Sequence, residues 1–232
     1  MSRIVLLPGF DGDASLRAEF TAELARRHEV RAISYPNRPL GSLDQYRVHA
    51  MGELPVDWRP VLLAESFGGL VATRWAALDA RVEALVLCGS FARNPVGAAA
   101  ALGASWPGLV KLGPLFTSPI AHASGDPRRR RWTEGLTRTL AELRPDVVAE
   151  RLRLIAAEDV APALRGLRIP VIVVHFEGDL VIGAGAREHL VAACHEPHVM
   201  RLPGPHFALE TRPVETARAI EERLEAVLGP RA

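Results

Sequence analysis

Val61-Leu62-Leu63-Ala64-Glu65-Ser66-Phe67-Gly68-Gly69-Leu70-Val71-Ala72 is the stretch that decides the fold. An apolar run leads into a small-x-Ser-x-Gly segment, and helical spacing follows from Leu70 through Trp75 to Leu78. A serine at the apex of a strand–turn–helix adopts a strained backbone, so the residues two places to either side must be small. Ala64 and Gly68 meet that requirement. Such a turn lifts the Ser66 hydroxyl clear of the strand ends, where a base can reach it. The competing reading is an ordinary Ser-Gly turn opening a helix, and the partners downstream must decide between the two.

Outward from this turn, residues 3–7, 29–34, 59–64, 82–88, 169–175 and 199–202 read as strands. Residues 14–27 (with Asp13 as N-cap), 43–53, 67–78, 184–193 and 214–228 read as helices, the last with Pro213 at its start. Strands alternating with helices, and strands apolar along their whole length, imply an α/β chain: a mostly parallel six-stranded sheet with helices on both faces. Residues 91–168 break the alternation. They hold no convincing strand, carry Trp106, Leu109, Val110, Leu112, Leu115, Phe116 and Trp132, and end in a helical pattern over 147–157. The length exceeds that of a plain crossover. The expectation is an α/β core of residues 1–90 and 169–232 with a helical lid inserted at 91–168. Trp106 and Phe116, and also His122, are candidates to line a substrate pocket, with packing inside the lid as the alternative.

The 232 residues suit one large domain or two small ones, and 48% apolar content supports a packed core. With 28 basic against 27 acidic residues, no nucleic-acid footprint is visible. Lys111 is the only lysine. Cys88 and Cys194 lie in apolar contexts and are expected to pack rather than react. The first apolar run is too short for a signal-peptide core and nothing reaches transmembrane length, so a cytoplasmic location without a membrane span is expected. His189, His195 and His198 lack converging carboxylates, and no metal is assigned.

An activated serine needs a base, and the base an orienting acid. Of eight histidines only His206, in Pro203-Gly204-Pro205-His206-Phe207, follows the last strand, on the sheet edge that carries Ser66. Asp179 in Glu177-Gly178-Asp179 follows the strand before it, and Gly178 is expected to permit the tight turn. Glu177 is the alternative acid; Glu177 and Glu65 otherwise read as local hydrogen-bonding or surface groups. An oxyanion needs two backbone donors. The candidates are the N–H of Phe67, just after the serine, and that of Phe10 in Pro8-Gly9-Phe10-Asp11-Gly12. The run Arg128 to Arg131 reads as a solvated loop, or as a group steering an anionic substrate.

These segments resemble the α/β-hydrolase family over nearly the whole chain. The order Ser66, Asp179, His206 is that family's order. Pro8-Gly9-Phe10-Asp11-Gly12 resembles its His-Gly-x-x-Gly oxyanion loop, with Pro8 in place of His; Ala64 stands where Gly is usual; and Pro205-His206 with Glu210 and Pro213 resembles its histidine segment. The compact, lidded layout is similar to small esterases and thioesterases such as the carboxylesterases of biotin synthesis. The family's first two strands are missing here, which should expose a strand that is usually internal. The resemblance implies a serine hydrolase acting on small carboxylic esters or thioesters with an apolar acyl part, without a cofactor, as a monomer or weak homodimer. An acyltransferase, a lyase with the same triad, and a non-catalytic receptor on the same scaffold are the rivals.

Overall fold

The computed structural model describes residues 1–95, 97 and 127–229. Six strands form one sheet: β1 (Arg3–Leu7), β2 (Glu29–Ala32), β3 (Val61–Glu65), β4 (Ala84–Cys88), β5 (Val171–Gly178) and β6 (His198–Pro205). Their order is β2-β1-β3-β4-β5-β6, and every pairing is parallel. Between β1 and β2 lie a 3₁₀ turn (Ala14–Arg17) and helix α1 (Ala18–Leu24). Helices α2 (Leu43–Gly52) and α3 (Gly68–Leu78) flank β3. After β4 come α4 (Pro127–Glu142), α5 (Pro145–Ala157) and α6 (Ala161–Gly166). Helix α7 (Ala184–Ala193) follows β5, and a short α8 (Ala208–Thr211) and long α9 (Pro213–Leu228) follow β6.

Alternation along each strand sorts its residues between the two faces. Val5, Leu7, Leu62, Ala64, Leu85, Leu87, Val171 and Val173 pack under α2, α3, α6 and α7. Ile4, Leu6, Val61, Leu63, Val86, Ile172 and Val174 pack under α1 and α9 through Phe20, Leu24, Ile220 and Leu224. Most of these side chains are fully buried, each contributing about 1.5–3 kcal/mol of transfer free energy. The sheet is therefore covered on both faces. Strand β2 forms one edge and is only partly buried.

Several details differ from the sequence reading. The first helix is split: Asp13 caps the 3₁₀ turn by accepting from the Ser15 N–H at 2.9 Å, and α1 begins only at Ala18. Strands β5 and β6 run three residues further than expected, to Gly178 and Pro205, with a register shift between Phe176 and Gly178. A Cβ on Gly178 would sit 3.0 Å from the Gly204 carbonyl oxygen, so this glycine serves the close approach of β5 to β6. Arg129, Arg130 and Arg131 lie on α4, where a loop was expected. In that helix a Cβ on Gly135 would meet Leu16 Cδ2 at 3.1 Å, which accounts for a glycine mid-helix. Trp106, Phe116 and His122 lie outside the described residues. No helix among the described residues is long and apolar enough to cross a membrane.

Candidate active site

The turn after β3 has the strained geometry its sequence requires. Ser66 is one of two non-glycine residues at positive φ among those described, at 48°, a conformation that costs an L-residue about 1–2 kcal/mol. Its N–H donates to the Cys88 carbonyl at 3.0 Å, and its own carbonyl accepts from the Gly69 N–H and the Ser90 hydroxyl, both at 2.9 Å. The glycines are steric necessities. A Cβ on Gly68 would lie 2.5 Å from the Pro8 carbonyl oxygen, and one on Gly69 would lie on Ser90 Oγ.

His206 leaves the end of β6, and Asp179 the end of β5. The His206 Nδ1–Asp179 Oδ2 distance is 2.8 Å, and both side chains are buried. Asp179 Oδ1 is occupied separately, accepting from the Val181 and Ile182 N–H groups at 2.8 Å. Burial alone would raise the Asp179 carboxyl. The His206 hydrogen bond and these backbone donors outweigh it and hold the carboxyl below its ordinary range. Facing an ionised carboxylate, Nδ1 must carry a proton, which leaves Nε2 of a neutral imidazole as the acceptor. Glu177, the alternative acid, is exposed, whereas the His206 contact is made by Asp179.

Gly89 lies between the residue that anchors the Ser66 N–H and the His206–Asp179 pair. It follows Cys88, whose carbonyl holds the Ser66 N–H, and it has a φ of 50°. A Cβ there would lie 3.2 Å from His206 Nδ1 and 3.4 Å from Asp179 Oδ2. Sequence reasoning passed over Gly89; the small residues ending β4, Cys88-Gly89-Ser90, were the available signal.

The loop after β1 closes the other side. Gly12, at φ 75°, turns it back through its N–H to the Gly9 carbonyl at 3.1 Å. Among the described residues neither the Phe10 nor the Phe67 N–H donates a hydrogen bond. Phe67 is buried beneath Tyr46 and Tyr35, edge-to-face at 5.3 and 6.3 Å. Those tyrosines are clamped by α5. The Tyr46 hydroxyl donates to Glu150 at 3.1 Å and accepts from Arg151 Nε at 3.2 Å. Glu150 also accepts from the Leu40 and Gly41 N–H groups at 2.8 and 2.6 Å. Neither Glu150 nor Arg151 was anticipated, because a charged pair in an amphipathic helix reads as its solvent face. Glu65, taken for a local or surface group, is buried and ion-paired with Arg17.

Helix α4 adds an apolar wall. Leu136 and Leu140 of α4 form a cluster with Leu143, Val147 and Val148, against which Phe10, Leu16, Trp132 and Phe207 pack. The Trp132 ring lies 4.7 Å from Phe207, and Phe207 lies edge-on to His206 at 5.0 Å.

The model of the Alpha/beta hydrolase family matches residues 4–219. A pimeloyl-[acyl-carrier protein] methyl ester esterase of Aromatoleum aromaticum is 30% identical, over 94% of this chain and 96% of its own. The polyketide synthase ThaQ of Burkholderia thailandensis is 28% identical over 89% of this chain, a match that spans 11% of that much longer protein. Among solved structures, an enol-lactonase from Burkholderia xenovorans superposes with a TM-score of 0.78 at 21% identity, over 96% of this chain and 91% of its own. Sheet order, elbow geometry and family match agree: the chain belongs to the alpha/beta hydrolase family.

Proposed function

We propose that this protein is a serine hydrolase that cleaves carboxylic esters or thioesters with an apolar acyl part. Ser66 is the nucleophile, His206 the general base and then acid, and Asp179 the group that holds the imidazole tautomer. The observation that carries this reading is a strained, half-buried Ser66 whose N–H is held by the Cys88 carbonyl, next to the Gly89 that packs against the buried His206–Asp179 pair. Nε2 of His206 takes the proton from Ser66 Oγ as it attacks the carbonyl carbon. The Phe10 and Phe67 N–H groups receive the charge that develops on the carbonyl oxygen. The tetrahedral intermediate collapses to the acyl-enzyme as His206 protonates the departing alcohol or thiol. Water, deprotonated by His206, then releases the acid.

Helix α4 contributes to the wall of this site, with the Phe10, Trp132 and Phe207 side chains as its acyl-facing part. A carrier-borne acyl ester is the substrate class that the esterase relative favours, since it is named for an acyl-carrier-protein methyl ester. The exposed Arg130 and Arg131 of α4 would suit the acidic surface of such a carrier.

A fluorophosphonate probe tests the assignment. It should label Ser66 and no other serine, and Ser66→Ala should abolish labelling and lower kcat on a p-nitrophenyl ester by about 10⁴-fold or more. Labelling that survives in Ser66→Ala overturns the reading.

A further inference from the structure

Beneath this site the chain buries four ionisable side chains that ester cleavage itself leaves unexplained: Asp11, Arg17, Glu65 and Glu210, none more than 5% exposed. The Arg17 guanidinium donates from Nη1 and Nη2 to the two carboxylate oxygens of Asp11 at 2.7 and 2.8 Å. Its Nε donates to Glu65 Oε2 at 2.6 Å, and Nη2 lies against that same oxygen and 3.0 Å from Glu210 Oε1. Nη1 also donates to the Asp13 carbonyl at 2.9 Å. Gly9 covers the cluster, since a Cβ there would lie 3.4 Å from Arg17 Nη2 and from Asp11 Oδ2.

Each carboxylate belongs to a different part of the site. Asp11 follows Phe10 in the loop after β1, Glu65 precedes Ser66, and Glu210 lies on α8 just beyond His206. Stability is a poor reason for such a cluster, because well-packed apolar residues often replace buried ion pairs without loss. Three carboxylates on one guanidinium are less favourable still. Among the described residues Glu65 Oε1 and both Glu210 oxygens accept no well-aligned hydrogen bond, although Glu210 Oε1 lies 3.0 Å from Arg17 Nη2. The charge comes closer to balance when one carboxyl is neutral. Burial first, and then the Glu65 carboxylate, push Glu210 well above the usual range despite Arg17. For Asp11 burial also raises, but Arg17 outweighs it and the carboxyl stays low.

We propose that Arg17 is the positioning residue of the hydrolytic site: through Asp11, Glu65 and Glu210 it fixes the oxyanion loop, the serine turn and the histidine turn to one centre. Glu210, which shares one guanidinium with two other carboxylates, is the neutral member of the cluster. The proposal rests on the hydrolase reading above. The charged and titratable groups facing Glu210 are Arg17 of the 3₁₀ turn, Asp11 of the loop after β1 and Glu65 of β3. Cys88 of β4 is near enough that burial and both glutamates push its thiol well up.

Two variants test it. Arg17→Lys keeps a positive charge but loses the planar fork that reaches three carboxylates. It should lower kcat on p-nitrophenyl butyrate by about 30-fold or more, leave KM within about twofold, and keep the parent's circular dichroism. Glu210→Gln keeps the shape of the neutral carboxyl and should retain kcat within about threefold. Its urea midpoint should rise relative to the parent's between pH 5 and pH 8. The unfolded Glu210 ionises near pH 4.3 while the folded one holds its proton, so the parent alone loses stability as pH rises. A midpoint difference that stays constant over that range makes Glu210 an ordinary ionised partner and overturns the cluster as described. This arm needs no activity and decides the matter even if Arg17→Lys fails to fold. A parent that never reacts with fluorophosphonate overturns the hydrolase reading; a labelled parent whose Arg17→Lys variant keeps its kcat overturns the positioning role alone.

Discussion

Arg151 Nη1 donates to the Phe10 carbonyl oxygen at 2.6 Å, joining α5 to the loop after β1 across 141 residues of sequence. The guanidinium is fully buried, lies 5.7 and 5.8 Å from the Tyr35 and Tyr46 ring centroids, and fills the space where a Cβ on Gly12 would fall. An arginine placed this way pins the peptide after Phe10, and so the direction of the neighbouring N–H groups. Arg151→Gln should lower kcat/KM on a short p-nitrophenyl ester by about tenfold and stability by about 2 kcal/mol in urea. Tyr46→Phe, which keeps the ring and removes the shared hydroxyl, should cost about 1 kcal/mol. An Arg151→Gln enzyme with unchanged kcat/KM would disconnect α5 from the oxyanion loop.

The positive φ of Ser66 predicts a trade of stability against function. Glycine adopts that backbone without steric cost. Ser66→Gly should therefore be more stable than Ser66→Ala by about 0.5–1 kcal/mol, both being inactive. Thermal unfolding of the two variants side by side reads the difference, and equal stability would mean that the elbow stores no strain.

Most of the sheet was legible because burial on both faces leaves a continuous apolar run, and Ile4 to Leu7, Val61 to Ala64 and Val171 to Val174 are such runs. The places proposed for Ser66, Asp179 and His206, just past the ends of β3, β5 and β6, could be read because strand order alone puts those three ends on one edge of a parallel sheet. Helix α4 was not read as a helix. Its apolar positions Trp132, Leu136 and Leu140 recur every fourth residue, but the arginines before them and Gly135 among them look like a loop. The Arg17 cluster was illegible for a deeper reason. A lone arginine in an amphipathic segment reads as solvent-facing, and only tertiary structure brings Glu65, 48 residues away, within reach.

Gly69 and Ser90 make a pair testable by rescue. Gly69→Ala drives a methyl into Ser90 Oγ and to 2.8 Å from Ser90 Cβ, and overpacking of this kind costs about 1–3 kcal/mol. Adding Ser90→Gly removes both obstacles and should recover most of the loss. Gly68→Ala meets backbone oxygens of Leu7 and Pro8, so no side-chain change should rescue it. Urea midpoints of the three single variants and the two double variants check this, and rescue of Gly68→Ala by Ser90→Gly would contradict the geometry.

Asp179 and Glu177 predict opposite outcomes. Asp179→Asn presents an amide to His206 Nδ1 and favours the wrong tautomer, which should lower kcat by about 10⁴-fold. Glu177→Gln, at an exposed position, should stay within about twofold. The depressed Asp179 carboxyl also carries a sign for stability. Its contribution is complete above the unfolded value, near pH 3.9, and is lost as pH falls through the lower folded value. The parent should thus lose stability in acid that Asp179→Asn does not lose. A larger kcat loss in Glu177→Gln would move the acid.

The stacked Trp132 and Phe207 rings predict how acyl length is read. Phe207 touches His206 on one side and Trp132 on the other, so an acyl chain leaving Ser66 along this wall meets the indole after a few carbons. Each methylene that an apolar wall removes from water contributes about 0.8 kcal/mol, close to fourfold in kcat/KM. On p-nitrophenyl esters kcat/KM should therefore climb over the first few carbons and fall once the chain reaches Trp132. Trp132→Ala opens that end and should move the optimum to longer chains. Fluorophosphonate labelling of Ser66 should persist, since the indole lies beyond Phe207 from the imidazole. Phe207→Leu thins the wall beside His206 itself and should lower kcat/KM for every ester, with little shift in the optimum. If the profile is flat in the parent and Trp132→Ala leaves it flat, α4 is a structural cap and the acyl chain runs elsewhere.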